Sequence, residues 1–341
     1  VLPLLVHVRV RTVVLCILLV PGSAGIVHAA PQHPNLFVNA ESGDAFFVNK
    51  PNIFPERQNL YPILEIAYHA WKDPQYAYLL ALNPRRDERL GWFEYLPVSL
   101  LLGETLPPET PPAAMPSVVY PQTGIAVLRS DESPDYWTSA GLVAIQQMGR
   151  NYGHDHRDKF ELLLWGRGRL LYPDWNAQQY EPMEYGWTRN AWAHNTLVVD
   201  ESNPKGGGST ERHDLSAETR FLATTSREIY PDVTQTRALL LTSDYLLDLF
   251  WADSPRERTY DWFVHALGRL SLPAPHGFQP SQDLLRPYRW VDRERKWETD
   301  RTWSADFVQQ TGGVLRGMGQ YTDEWFGAKV GVRMTMLGEP G

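Results

Sequence analysis

The sequence is poor in cysteine, with one in 341 residues, and that residue, Cys16, sits inside an apolar N-terminal run. A disulfide framework and a thiolate metal site are therefore both excluded from the rest of the chain. Excess positive charge is also missing. The net charge is −8, so nothing in the bulk balance points to a nucleic-acid binder. Long amphipathic helical patterns are absent after residue 117, and no internal repeat is present. Apolar and aromatic material is plentiful. Hydrophobic residues make up 43%, with 13 Trp and 16 Tyr, enough for a large core in roughly two domains. Aromatic surfaces on this scale also stack on sugars, although most Trp and Tyr simply pack.

The first thirty residues, "VLPLLVHVRVRTVVLCILLVPGSAGIVHAA", have two arginines, no acid, an apolar core and a small-residue end. That is the layout of a secretory signal, so residues 1–30 are read as a signal peptide or apolar leader. A periplasmic or secreted location is expected. The apolar core is too short to span a bilayer comfortably, so no stable membrane insertion is expected. Residues 31–105 read mainly as helix. "NLYPILEIAYHAW" places Leu60, Leu64, Ala67, Tyr68 and Trp71 at helical spacing, and Asp73-Pro74 opens a second helix. "LPPETPPAAMP" (106–116) is a Pro-rich linker.

From residue 117 the pattern changes to strands. "SVVYPQTGIAVLRSD" and "YWTSAGLVAIQQMG" read as strands, while "FELLLWGRGRLLYPD" and "TRALLLTSDYLLDLFWAD" each hold two short apolar runs around a turn signal and each predicts a hairpin. The expected architecture is mainly β, an antiparallel β-sandwich over 117–341, preceded by the short helical segment. "NPKGGGSTERHD" (203–214) reads as a flexible excursion with His213 in solvent. His265 reads as packed within the sandwich, and "DRERKWETDR" (292–301) as a solvated face.

The densest chemistry is "NYGHDHRDKF" (151–160). If it is a strand, His154 and His156 share a face, with Asp158 beyond them. Imidazole pairs with a carboxylate suit zinc. Asp174 ends the return strand of the predicted hairpin, and His194 opens "HNTLVVD", so both are candidate partners. "HDHRDK" also nearly matches the HxHxDH signature of metallo-β-lactamase-type hydrolases, but Lys159 stands where that signature needs a histidine.

Taken in order, "GHDHRDKFELLLWGRGRLLYPD", "WAHNTLVVDESNP", "TRALLLTSDYLLDLFWAD" and "YDWFVHALG" resemble the C-terminal β-domain of the heparinase II/III-like polysaccharide lyases. "FPERQNLYPILEIAYHAWKDPQYAYLLAL" resembles the last helical hairpin of that family's (α/α) toroid. The resemblance implies a structural zinc held by His156, Asp174 and His194. It implies that His154 faces the catalytic cleft, joined by Tyr180 or Tyr185, with Arg189 and Asn195 as neighbouring substrate contacts. It further implies β-elimination of a uronic-acid-containing polysaccharide of the heparin, heparan sulfate or alginate type, hence an anionic polysaccharide partner.

Complete members of that family carry a long toroid ahead of the β-domain. Nothing before residue 117 matches its catalytic hairpins, and Asn59 and Tyr61 read as a helix start. The chain is read as a polysaccharide lyase of which it is a fragment, a gene-prediction product or a degenerate relative. The alternatives are a non-catalytic, zinc-stabilised β-sandwich that binds acidic glycans, and a metal-dependent hydrolase. Oligomeric state is not legible.

Overall fold

The computed structural model describes residues 4–21, 35–38, 45–48, 61–73, 76, 114–137, 141–149, 156–167, 169–174, 184–216, 218–272, 279–280, 295–296, 302–309 and 330–337. The chain begins with strand β1 (Leu4–Pro21), a short hairpin β2 (Asn35–Val38) and β3 (Ala45–Val48), and helix α1 (Tyr61–Trp71). A meander follows: β4 (Val118–Tyr120), β5 (Ile125–Arg129), β6 (Val143–Gln147), β7 (Glu161–Gly166) and β8 (Arg169–Tyr172). Short helical turns at Glu184–Thr188 and Ala191–Ala193 lead to β9 (Leu197–Val199). Then come β10 (Ser209–Asp214), β11 (Arg220–Tyr230), β12 (Val233–Leu241), β13 (Leu246–Val264) and β14 (Arg269–Ser271). The last strands are β15 (Gln279–Pro280), β16 (Arg295–Lys296), β17 (Trp303–Gln309) and β18 (Val330–Met336).

Among the described residues, two sheets dominate. One is the five-stranded antiparallel meander β4-β5-β6-β7-β8. The other has nine strands, in the order β10-β11-β12-β13-β1-β18-β17-β14, with β9 paired to the far end of β13. Leu128, Ala144, Leu162 and Leu164 from the first sheet share one buried cluster with Leu222, Leu239, Phe250, Tyr260 and Trp262 from the second. The sheets thus pack face to face as a β-sandwich, as the paired apolar runs imply.

Both predicted hairpins form, β7–β8 and β12–β13, and the strand-like run before them folds into a further one, β4–β5. The turn between β4 and β5 closes with the Gly124 N–H donating to the Tyr120 carbonyl, at φ +71°. A side chain there would collide with Gly149, so glycine is required on both counts. On β13, residues 246 to 252 alternate between buried and half-buried, which puts Leu246, Asp248, Phe250 and Ala252 on the inner face. An inward aspartate is unusual and bears on the site below.

Three expectations meet a different arrangement. Residues 209–214 of the Gly-rich excursion form β10, an exposed edge strand on β11, and His213 lies on it in solvent. Its three glycines end just before the strand, which is why composition alone hid it. Within 31–105, α1 falls where the spacing placed it, but β2 and β3 precede it. The second predicted helix and most of the linker lie outside the described residues. The apolar run read as a leader is here β1, hydrogen-bonded to β13 along most of its length and to β18 near its end. A continuous apolar, β-branched run serves equally as a leader core or as a central strand. No helix among the described residues is long and apolar enough to cross a membrane.

Candidate metal centre

Three segments converge at one corner of the five-stranded sheet. Residues 156–160 form a turn entering β7, not the strand that the His-x-His spacing suggested. The β7–β8 register, Leu164 opposite Tyr172, carries Asp174 back to the start of β7. The Leu162 N–H donates to the Asn195 carbonyl at 3.2 Å, which draws "HNT" alongside. His156, Glu161 and His194 are each 0% exposed.

His194 Nδ1 lies 3.3 Å from Asp174 Oδ1 and 3.0 Å from Glu161 Oε1. His156 Nδ1 lies 3.7 Å from the same Asp174 oxygen. The two imidazole centroids are 5.1 Å apart. On its other side, His194 Nε2 sits 2.9 Å from the Thr188 carbonyl. A carbonyl only accepts, so Nε2 carries the hydrogen. A neutral His194 would then aim the lone pair of Nδ1 at two carboxylates in a dry interior, which is repulsive. A proton in the Nδ1–Glu161 contact, on either partner, or a metal ion at Nδ1 resolves that conflict. Such an Nε2–H to carbonyl bond is also how ligating imidazoles are oriented.

The electrostatics agree with this geometry. Burial disfavours a charged His194, but the Glu161 and Asp174 carboxylates outweigh it and hold the ring well above the usual imidazole range. Burial also opposes ionisation of Asp174, yet the two imidazoles hold it well below the usual carboxylate range. Burial pushes Glu161 up to about 8, against the pull of His194.

The donor set fits zinc. Two histidines and a carboxylate are ordinary zinc ligands, and bonds of about 2.0–2.1 Å in a tetrahedron set ligand atoms about 3.3 Å apart. The 3.3 and 3.7 Å separations around Asp174 Oδ1 are close to that. A second triad, Asp158, Glu161 and His194, shares the His194 ring. There the Lys159 ammonium already donates to Asp158 Oδ1 at 3.3 Å, so a cation occupies that side. The His156–Asp174–His194 side is the better place for a divalent ion.

Glu161 was missed by the sequence reading. Its signal was an acid opening an otherwise apolar strand, "FELLLWG". The expected substrate contact Asn195 is 1% exposed, and its Oδ1 accepts the His265 N–H at 2.6 Å, so it ties the loop to the segment just after β13. The next residue, Thr196, donates its hydroxyl to the Lys159 carbonyl at 2.6 Å. Arg189 is half-buried, and its carbonyl accepts the Arg157 N–H at 2.9 Å. Tyr185 lies in the turn Glu184–Thr188. The structure brings His156, Asp174 and His194 together, while His154 and Tyr180 lie outside the described residues. His265 packs as expected, stacked with Phe263 and edge-on to Trp187.

Comparison with known proteins finds likenesses that include this corner. Residues 112–245 match the family described as heparinase II/III-like, C-terminal. An alginate lyase of Stenotrophomonas maltophilia (strain K279a) is 29% identical over 209 residues, which cover 51% of this chain and 27% of that protein. A mutant of the heparan sulfate lyase HepC from Pedobacter heparinus aligns at 12% identity with a TM-score of 0.47, over 86% of this chain and 42% of that one. A crystal structure of heparinase III aligns at 13% identity with a TM-score of 0.42, over 81% and 51%. The chain thus spans about a quarter of the matched alginate lyase and about half or less of these two solved chains. The matched span, residues 112–245, is similar to the heparinase II/III-like C-terminal family and includes His156, Glu161, Asp174 and His194.

Proposed function

We propose that this chain is the β-domain portion of a polysaccharide lyase that cleaves uronic-acid-containing polysaccharide by β-elimination. The observation that carries the reading is the family match over 112–245, which encloses the buried donor cluster. In the proposed reaction a base removes the C5 proton, α to the uronate carboxylate. The electron pair then forms the C4–C5 double bond as the 4-O-glycosidic bond breaks. The leaving oxygen takes a proton from an acid. His154 and either Tyr180 or Tyr185 are the groups assigned to these transfers, with Arg189 beside them for the anionic substrate. The increased negative charge on the carboxylate needs donors or a cation, part of which the toroid of a complete enzyme would supply. Asn195 is assigned to the loop rather than to the sugar.

Zinc, when bound, would cross-link the turn before β7, the end of β8 and the "HNT" segment through His156, Asp174 and His194. These side chains are buried, which suits a structural ion better than one that meets a sugar. An exported protein, periplasmic or secreted, would meet such substrates directly.

The test is ultraviolet absorbance from the unsaturated uronate, recorded with heparan sulfate and with alginate. Growth of that band on one substrate supports the reading and names the polysaccharide. Binding of the glycan with no new band would favour a non-catalytic, zinc-stabilised sandwich. Cleavage products without a double bond would sink the lyase assignment in favour of hydrolysis. Metal analysis of the purified chain checks the zinc separately.

A further inference from the structure

Arg237 and Asp248 are 1% and 2% exposed, on the inner faces of β12 and β13. Arg237 Nε donates to Asp248 Oδ1 at 2.9 Å and Nη2 to Oδ2 at 2.5 Å. The guanidinium lies 5.1 Å from the Phe250 ring centroid. A buried ion pair of this kind is poor evidence for stability, because well-packed apolar residues often do as well. Its retention calls for another reason. The remaining nitrogen, Nη1, donates to two backbone carbonyls across the sandwich, those of Phe160 and Asn195, the latter at 2.8 Å.

Those two carbonyls are not arbitrary. Asn195 directly follows His194. Phe160 ends the turn that begins at His156 and directly precedes Glu161. Phe160 also has φ +62°, a left-handed conformation that a bulky residue rarely adopts unless its surroundings hold it there. One planar fork therefore grips both backbone segments that bear the histidine donors, and it is braced from the opposite sheet.

We propose that Arg237, braced by Asp248, is the positioning residue of the metal centre: it fixes the Phe160 and Asn195 carbonyls so that His156 and His194 are held at ligand spacing, and it links metal affinity to docking of the nine-stranded sheet. The proposal rests on the zinc reading above. It requires arginine specifically. A lysine ammonium can reach Asp248 but lacks a planar fork to serve the carboxylate and both carbonyls together.

The experiment titrates zinc into the metal-free chain against a competing chromophoric chelator. It compares wild type, Arg237→Lys, and the double variant Arg237→Met with Asp248→Leu, in which no unpaired charge stays buried. Cobalt(II) spectra of each report the ligand geometry. Wild type should take up one zinc. Both variants should bind it on the order of tenfold or more weakly, as for changes to groups that orient ligands, with altered cobalt spectra. The metal-free double variant should unfold below metal-free wild type by the loss of the donor to the Phe160 carbonyl, a loss that the zinc titration reads separately. If it does not fold, Arg237→Lys decides. Wild-type affinity and an unchanged cobalt spectrum in a folded variant overturn the proposal alone. A wild-type chain that takes up no zinc overturns the metal reading and this inference with it.

Discussion

Two buried histidines of this domain behave in opposite ways. His194 and His265 each set Nε2 2.9 Å from a backbone carbonyl, of Thr188 and Trp192 respectively. Around His265 the walls are the Trp187 and Phe263 rings. Burial lowers its pKa to about 3, and the carbonyl does not compensate. Around His194 the walls are the Asp174 and Glu161 carboxylates, and its pKa rises well above normal. Burial and the carbonyl bond are common to both, so the group facing Nδ1 of His194 sets the sign. A buried imidazole among rings is a neutral strut. One among carboxylates holds a positive charge, and whether a proton or zinc supplies it depends on the other donors.

The largest expected effect comes from removing one ring from each region. His194→Ala leaves Asp174 and Glu161 buried beside each other without their shared cation. It should cost about 3–5 kcal/mol, the usual result of breaking a buried charged group from its partner, and abolish zinc uptake. His265→Leu leaves the Trp192 carbonyl without its donor and should cost about 1–3 kcal/mol, with zinc uptake intact. Urea unfolding and metal analysis of both variants check this. Equal losses, or zinc retained by His194→Ala, would erase the distinction.

Zinc removal is the next effect in size. At free zinc 100 times Kd, bound metal should add about 2.7 kcal/mol. Thermal unfolding of the chain with and without a chelator should show that difference in wild type. It should persist in His265→Leu and vanish in His194→Ala.

The two regions were unequally legible in sequence. The hairpins of the sandwich were plain, because paired apolar runs around Gly-Arg-Gly and Thr-Ser-Asp have few other uses. His156, Asp174 and His194 emerged together through the family resemblance; a strand continuing from His156 to Asp158 does not form, since 156–160 is a turn. Glu161 and Arg237 were hidden for a shared reason. Each is a charged residue inside an apolar strand, and its partners lie on segments far away in sequence, so no local pattern marks it. Asn195 misled for the opposite reason. A polar residue beside a ligand suggests substrate contact, whereas its Oδ1 accepts from the N–H of His265, just past the end of β13. The N-terminal run stayed ambiguous because leaders and central strands share one composition.

The smallest expected effect is the pH dependence carried by His265. Its folded pKa of about 3 lies below the unfolded value of about 6.5. Protons therefore prefer the unfolded chain, and the stability from keeping this ring neutral is fully present above about pH 6.5. It is lost progressively as pH falls from there towards 3, with a slope approaching about 1.4 kcal/mol per pH unit. His265→Leu should remove that component, so its stability relative to wild type should improve steadily with acidification. Urea unfolding of metal-free wild type and variant at a series of pH values isolates it. The His194 corner then contributes equally to both proteins and cancels. A difference between the two that stays flat from neutral pH to pH 4 would show that His265 is already protonated in the fold, and the contrast between the two histidines would fail on the aromatic side.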